Sequence, residues 1–143
     1  MKKKNYAGFS IVELLVVIAV FAVLAAIAVP NFLQYMPKSR LNGATRIIAS
    51  DLMAARMEAV KLNQTVYMQQ TGGNDHEYKI IKSADILKTV DLHNDYEDVA
   101  IDDFGKVVFN SRGIANSSHT VTVTNPSGSK TIDVNIAGRV KIN

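Results

Sequence analysis

The feature that most constrains this chain is a long apolar run near its N-terminus. Residues 11–29 (IVELLVVIAVFAVLAAIAV) contain a single charged side chain, Glu13. At a rise of about 1.5 Å per residue, a helix of this length spans roughly 28 Å, which is about the thickness of the hydrocarbon layer of a bilayer. Lysines at positions 2–4 precede the run, and a basic flank keeps that end in the cytoplasm. The run therefore predicts a membrane-inserted or translocated segment, with the bulk of the chain outside the cytoplasm.

Glu13 does not fit a plain membrane anchor. A charged side chain at the bilayer centre costs about 2.5–3.5 kcal/mol, so we expect the carboxylate to have a cationic partner or a special depth. The sequence has no lysine or arginine between Lys4 and Lys38. The nearest cation that can arise within the run is a new α-amino group, formed when the chain is cleaved just before it.

Residues 8–15 (GFSIVELL) resemble the class III signal of type IV pilins and type II secretion pseudopilins. The resemblance implies that a prepilin peptidase cleaves between Gly8 and Phe9, and that the new N-terminal Phe9 is N-methylated. It also implies that Glu13 pairs with the Phe9 amine of a neighbouring subunit during assembly. Pro30 then stands at a position where many pilins also carry proline.

Two other interpretations of the run remain open. Ala26-Ile27-Ala28 fits the A-x-A cleavage pattern of an ordinary secretory signal peptide, and a simple signal anchor is also compatible with the run. The apolar region of an ordinary signal peptide is about 7–15 residues long, whereas this run is longer and has an acid near its start. The mass of the mature protein separates the three interpretations: loss of residues 1–8, loss of residues 1–28, or no loss.

The net charge of +3 comes from the leader. Removing residues 1–8 removes three of the 16 basic residues, so 13 remain against 13 acidic ones. The excess of basic over acidic residues therefore reflects targeting and does not by itself indicate a nucleic-acid-binding protein. The chain has no cysteine, which excludes disulfides and thiolate metal sites. Many major pilins close a C-terminal loop with a disulfide, so its absence favours a minor pilin or a pseudopilin.

A second helical pattern follows the apolar run. Pro30 removes a backbone N–H and its ring clashes with the carbonyl of Ala26, which predicts a kink, and Pro37 is a second possible break. Apolar residues then recur at spacings of three and four, which predicts an amphipathic helix over residues 38–62, with Asp51 and the other charged residues off the stripe. The stripe consists of Leu41, Ala44, Ile48, Leu52, Ala55, Ala59 and Leu62.

After residue 62 the pattern changes to short β-rich runs with turn residues between them. Turns are predicted at residues 71–74 (TGGN), 125–128 (NPSG) and 137–138 (AG), and the acidic stretch Asp91–Asp103 is predicted to be a surface loop. A long helix followed by antiparallel strands predicts an α+β fold, the pilin lollipop, in which the second half of the helix packs on an antiparallel β-sheet. The predicted strands are residues 65–70, 77–82, 86–90, 106–110, 120–124, 130–136 and 139–142.

Beyond the N-terminus, three segments of the chain resemble GspH/FimT-type proteins of the same family. The first contains an Ala-Arg-x-Glu-Ala sequence, the second resembles an F-x-x-x-G strand end, and the third resembles a closing G-R-V-x-I strand. These segments are residues 50–61 (SDLMAARMEAVK), 108–113 (VFNSRG) and 138–142 (GRVKI).

The sequence contains no recognisable catalytic or metal-binding pattern. His76, His93 and His119 are scattered, no common catalytic or phosphate-binding motif is present, and each histidine is predicted to be a surface residue. The carboxylates of Asp91–Asp103 offer oxygen ligands to Ca²⁺, but their spacing matches no EF-hand, which favours a solvated loop. No enzymatic activity, metal or cofactor is therefore predicted.

The C-terminal strand carries the residues of an alternative function. Some FimT-like pilins take up DNA through a Gly-Arg-x-Arg motif, which residues 138–141 (GRVK) resemble, with Lys141 in place of the second arginine. Lysine can contact a phosphate as a point charge but lacks the bidentate fork of arginine. In a strand, Arg139 and Lys141 point to the same face, which Lys130 of the preceding strand could join. An exposed charged face without a ligand is the alternative.

The resemblance implies a minor pilin or pseudopilin that assembles with other pilin subunits into a type IV pilus or a type II secretion pseudopilus. It further implies residence in the bacterial inner membrane, N-terminus in the cytoplasm and globular domain outside, and contact with an assembly platform. A DNA-binding minor pilin and an unrelated signal-anchored β-domain are the alternatives. The predicted parts are a leader (1–8), a transmembrane and filament-core helix (9–36), an amphipathic helix (37–62) and an antiparallel β domain (63–143).

Overall fold

The computed structural model describes residues 9–102 and 104–143. Gly8, the leader lysines and Asp103, which enter several of the expectations above, lie outside the described residues. The chain divides into two compact units, with the boundary between Met36 and Pro37. Its first described element is a single helix, α1 (Ile11–Leu62).

Residues of the local sequence cap both ends of α1. Ser10 precedes the helix, and its Oγ accepts a hydrogen bond from the N–H of Val12 at 3.2 Å, which is an N-cap. At the other end Asn63 adopts a φ of 52°. The N–H groups of Asn63 and the next residue donate to the carbonyl oxygens of Val60 (3.2 Å) and Ala59 (3.1 Å). These two bonds form a Schellman motif, so the helix ends where the β pattern of the sequence begins.

The helix is continuous through both of its prolines. The expected break at Pro37 is wrong, because a proline inside a helix removes one N–H while the neighbouring turns keep their hydrogen bonds. The carbonyl of Pro37 also accepts a hydrogen bond from Asn125 Nδ2 at 2.7 Å, which joins this turn to the β domain. Beside Pro30, Asn31 Nδ2 donates to the carbonyl of Ile27 at 3.1 Å. The kink at Pro30 stays a prediction.

Eight strands follow the helix. They are β1 (Val66–Gln70), β2 (Glu77–Lys82), β3 (Asp85–Asp91), β4 (Ala100–Ile101), β5 (Lys106–Phe109), β6 (His119–Asn125), β7 (Gly128–Val134) and β8 (Val140–Ile142). They form two antiparallel sheets of four, in the orders β3-β2-β1-β5 and β4-β6-β7-β8, where the sequence had predicted one. The seven predicted strands are confirmed, with ends that shift by at most two residues, whereas β4 was not predicted.

The stretch Asp91–Asp103 is not the surface loop that its acidic composition predicts. Its described part contains a short 3₁₀ helix (Leu92–Asn94) and β4. Leu92, Val99 and Ile101 are buried in the core, while most of the carboxylates remain exposed. The prediction was wrong because single apolar residues between acidic ones show no clear periodicity, although each can reach the core from an irregular backbone.

One hydrophobic core joins the second half of α1 to both sheets. The predicted stripe is buried, except for Leu62, which is half-buried. The first sheet contributes Tyr78 and Phe109 among others, and the second contributes Ile132. Because the helix shares its core with two sheets, its buried face is wider than the stripe and includes Asp51, which the sequence had placed off it. The predicted α+β fold is confirmed.

Candidate functional site

The N-terminal part of α1 presents apolar surface along its length. All side chains of residues 9–35 are exposed. Among the described residues, α1 is the one helix that is long and apolar enough to cross a membrane, judged by length and composition alone. An apolar surface of this extent is unfavourable in water, so it calls for lipid or for other apolar helices around it.

Glu13 lies in the first turn of α1, on this otherwise apolar surface. It follows the capping residue Ser10 by three positions, which is the spacing of a capping box and a signal that our sequence analysis missed. The partial positive charge of the helix N-terminus favours a carboxylate there. In the described part of the chain, the first basic residue along α1 is Lys38, 25 positions after Glu13. The cation that would neutralise Glu13 must therefore come from elsewhere.

Two of the three basic residues predicted to contact DNA lie together at the C-terminus. Arg139 and Lys141 line a surface cavity of about 330 Å³ with Asp133 and Asn135. Lys141 stands directly opposite Asp133 in the β7–β8 ladder, and Asp133 also accepts a hydrogen bond from Thr120 Oγ1 at 2.9 Å. A carboxylate beside these cations weakens their attraction for a phosphate. DNA binding through this face stays a prediction.

Lys130 lies on the other side of β7. Lys130 is two residues from Ile132 and four from Val134, so it lies on the same side of the strand as these buried residues. Asp133 is on the outer side, opposite Lys141. Because side chains alternate along a strand, the structure does not bring Lys130 to the face of the other two basic residues.

The three segments that resemble GspH/FimT-type proteins converge at one point of the domain. Arg56 donates its Nε–H to the carbonyl oxygen of Gly113 at 2.9 Å. A Cβ atom on Gly138 would lie 2.1 Å from that same oxygen and 2.9 Å from Arg56 Nε. Both glycines have a positive φ, 73° for Gly113 and 75° for Gly138. We call these three residues the glycine joint; it holds the two turns in close backbone contact, which only glycine permits, and ties them to the helix through the Arg56 side chain.

Beside the glycine joint is an open groove of about 550 Å³ between the end of α1 and β8. Three helix side chains that the sheets leave uncovered form its floor, and three cations stand on its rim. The floor consists of Met53, Met57 and Val60, which are 46%, 65% and 50% exposed, and the rim consists of Arg56, Lys61 and Arg139. We refer to this surface as the apolar groove.

A buried polar cluster connects α1 to the first sheet. Tyr78 Oη donates to Asp51 Oδ2 at 2.7 Å, and Lys88 Nζ donates to both carboxylate oxygens at 2.7 and 2.9 Å. Tyr78 is fully buried and Asp51 is 7% exposed, whereas half of the Lys88 side chain is in solvent. No local sequence pattern indicates this cluster, because its members are 10 or more residues apart and lie on three different elements.

Tyr78 gives the domain an expected pH dependence. Burial raises the pKa of its hydroxyl far above the ordinary value of 10.0, and the hydrogen bond to the Asp51 carboxylate and that group's negative charge raise the pKa further. Below pH 10 both the folded and the unfolded chain keep this proton. Above pH 10 only the unfolded chain loses it, so this group lowers the free energy of unfolding by up to about 1.4 kcal/mol per pH unit.

Urea unfolding between pH 9 and 11.5 measures this effect. We expect the Tyr78→Phe variant to lose stability less steeply with pH than the parent, because lysines and the other tyrosines titrate in both proteins. Equal slopes for the parent and the variant would contradict the assignment.

Two of the three histidines lie together, which the sequence did not predict. The ring centroids of His76 and His93 are 5.1 Å apart, and His76 is half-buried with Nδ1 2.6 Å from the carbonyl oxygen of Val99. His119 lies elsewhere, with Nε2 2.8 Å from Ser117 Oγ. In the part of the chain that the structure describes, no group of three or more histidine, aspartate or glutamate residues is placed to hold a metal ion.

Comparisons with known proteins agree with the resemblance to pilins that the N-terminal sequence indicates. The sequence pattern of the prokaryotic N-terminal methylation motif matches residues 3–29. The type IV major pilin protein PilA of Myxococcus xanthus is 43% identical over 37 residues, which are 26% of this chain and 17% of that protein. The fimbrial protein EcpC of Eikenella corrodens is 41% identical over 44 residues, which are 31% of this chain and 29% of that protein. The matches thus span less than a third of these relatives.

Solved structures match the fold over most of the chain. The type IV minor pilin FimU of Pseudomonas aeruginosa superposes with a TM-score of 0.64 and 17% identity, covering 76% of this chain and 92% of FimU. The minor pseudopilin EpsH of the type 2 secretion system of Vibrio cholerae superposes with a TM-score of 0.57 and 11% identity, covering 73% of this chain and 96% of EpsH. At these identities the likeness concerns the fold.

The family itself follows from the globular part of the chain. The sequence model of the family described as type II transport protein GspH matches residues 44–138, which include the helix segment around Arg56, both glycines of the joint and every strand except β8. The chain belongs to the GspH family of minor pilins and pseudopilins.

Proposed function

We propose that this protein is a structural subunit of a filament of the type IV pilus and type II secretion pseudopilus class, assembled through the N-terminal part of α1. The observation that carries the proposal is Glu13, a carboxylate in the first turn of an exposed apolar helix that has no basic side chain before Lys38. This role is structural and requires no catalytic group.

The assembly step follows from the electrostatics of the helix N-terminus. Cleavage between Gly8 and Phe9 by a prepilin peptidase frees an α-amino group one residue before the cap Ser10, and methylation of Phe9 leaves the amine cationic. This charge meets the positive end of its own helix dipole, which is unfavourable. In a bundle of subunits, Glu13 of one subunit pairs with the Phe9 amine of the next. The pair removes the cost of two isolated charges in a low-dielectric environment and sets the axial register.

The remaining parts of the proposal concern location. The leader lysines hold the N-terminus in the cytoplasm, and residues 9–36 cross the inner membrane, so the domain of residues 37–143 lies outside the cytoplasm. There the assembly platform brings the subunit to other pilin-type subunits, and the exposed apolar side chains of residues 9–35 pack into the filament core.

Replacing Glu13 with alanine is the direct test. We expect normal insertion into the membrane fraction and a loss of filament incorporation of about tenfold or more. An unpaired charge in lipid costs about 2.5–3.5 kcal/mol, and pairing in the filament relieves that cost for Glu13. The variant has no such charge, so it loses this part of the free energy of assembly. The measurement is the amount of full-length subunit in sheared filaments relative to membranes. Val17→Ala is the matched control, because it removes an exposed apolar side chain from the same helix without changing charge.

Mass spectrometry of the mature chain provides the second readout. We expect a protein that begins at a methylated Phe9. Incorporation of Glu13→Ala at the level of Val17→Ala would contradict the pairing, and a mature chain that begins at Met1 or Val29 would contradict the processing.

A further inference from the structure

The apolar groove is a built surface that filament assembly through the N-terminal helix does not use. Met53, Met57 and Val60 follow one another at helical spacings of four and three, so they form a second apolar row beside the buried stripe. Each keeps about half of its side chain or more exposed, although β8 and the glycine joint are adjacent. A contiguous apolar row bordered by charge is typical of a protein interaction surface.

The charges around the groove have one sign. Arg56, Lys61 and Arg139 line it, and no carboxylate is among its lining residues. Lys61 is partly neutralised by Glu58, whose Oε2 lies 3.5 Å from its Nζ, and Asp133 shares the neighbouring cavity with Arg139. Within the described residues, neither the Arg56 nor the Arg139 guanidinium group forms an ion pair. These cations outweigh the partial negative charge of the nearby helix C-terminus. A ligand that complements this rim must be acidic.

The groove is also held rigid. Arg56 Nε is fixed by its hydrogen bond to Gly113, and the turn before β8 is fixed by backbone bonds of Asn135 with Arg139 and Gly138 at 3.1 and 2.8 Å. The backbone N–H of Arg139 donates to Asn135 Oδ1 at 2.9 Å. Because the rim is preorganised, a partner that docks there loses little free energy to ordering this side of the interface.

We propose that the apolar groove docks a segment of another pilin-type subunit, one in which aspartate or glutamate side chains flank apolar ones. The apolar residues of that segment cover Met53, Met57 and Val60, and its carboxylates pair with Arg56 and Arg139. Methionine and arginine are enriched at the centres of protein interfaces, and methionine adapts its shape to the partner. Nucleic acid fits less well, because a phosphate backbone leaves the apolar floor uncovered and Asp133 stands beside Lys141.

This inference rests on the proposed function, and a photo-crosslinking experiment with the full-length chain in its own cells tests it. The photoreactive amino acid p-benzoylphenylalanine replaces Met57 in the groove, or Ile86 on β3 as a control of similar exposure (65% and 58%). We expect an adduct from position 57 with another subunit that carries the N-terminal methylation motif. The cross-linked peptide should contain aspartate or glutamate next to apolar residues.

Charge reversal then separates docking from chance proximity. Arg139→Glu should lower the adduct yield about tenfold or more. Arg46→Glu, the same change at an exposed position of α1 outside the groove, should alter it less than twofold. Replacing the captured acidic residue with arginine should restore the adduct to the Arg139→Glu chain. Protease resistance of each variant confirms that the domain is folded.

Several outcomes would overturn the inference: no adduct above the Ile86 control, an adduct with DNA, lipid or a second copy of this chain, a captured segment without carboxylates, or no effect of Arg139→Glu. The Glu13→Ala variant keeps the two proposals separable. If that variant loses incorporation while Arg139→Glu leaves the adduct unchanged, the docking inference alone fails. If Glu13→Ala is incorporated normally, the proposed function fails whatever the groove binds.

Discussion

Replacing Gly138 with alanine is expected to lower the free energy of unfolding of the domain by about 3 kcal/mol. The positive φ of 75° costs an L-residue roughly 1–2 kcal/mol. The new Cβ would also lie 2.1 Å from the carbonyl oxygen of Gly113, a backbone atom that cannot rotate away, and forced overpacking typically adds about 1–3 kcal/mol. Since domains are stable by only about 5–15 kcal/mol, this change would remove a large part of the stability.

Two other glycines separate the contributions to this effect. Gly73 has a φ of 83°, close to that of Gly138, but nothing within 4 Å of a Cβ, so Gly73→Ala measures backbone strain alone. Gly72 has neither a positive φ nor a close neighbour, so Gly72→Ala should change stability by no more than about 0.5 kcal/mol. The measurement is denaturant unfolding of the detergent-solubilised chain, followed by near-ultraviolet circular dichroism. The close approach at the glycine joint would be disproved if Gly138→Ala were no more harmful than Gly73→Ala.

Replacing Asp51 with leucine is expected to cost about 3 kcal/mol of stability. The fully buried hydroxyl of Tyr78 would lose its acceptor, and an unsatisfied buried donor costs about 1–3 kcal/mol. The Lys88 ammonium can be hydrated after the change, because half of that side chain is in solvent, so the lost ion pair adds no more than about 1 kcal/mol.

Partner substitutions test whether the cluster acts as a unit. Asp51→Asn keeps an acceptor for Tyr78 and should cost about 1 kcal/mol. Lys88→Met should cost about 1–3 kcal/mol, because it leaves the Asp51 carboxylate, which is 7% exposed, without its cation. The double variant Asp51→Leu with Tyr78→Phe removes donor and acceptor together, so it should be more stable than Asp51→Leu alone. Strict additivity of the two single changes in urea unfolding would show that the two side chains do not act on each other.

The sequence predicts the parts of the fold that depend on interactions between residues close together in the chain. The apolar stripe of α1 is visible because helical periodicity brings residues three and four positions apart onto one face. The hairpin between β6 and β7 is visible because Asn125-Pro126-Ser127-Gly128 favours a turn whatever surrounds it, and the structure pairs Asn125 with Gly128 there. The acidic stretch after Asp91 was misread, because Val99 and Ile101 are buried by contacts with distant strands rather than by any local pattern.

The sequence by itself determined that this chain has an N-terminal methylation motif, an apolar helical segment with one acid, an amphipathic helical segment after it, and antiparallel strands. These properties depend on neighbours a few residues apart. Only the tertiary structure decided that the strands form two sheets, that Asp51 is buried against Tyr78, and that Arg56, Gly113 and Gly138 meet. The contacts of Asp51 and of the glycine joint connect residues 25 or more positions apart, and their geometry is set by how the sheets pack on the helix, which no local periodicity encodes.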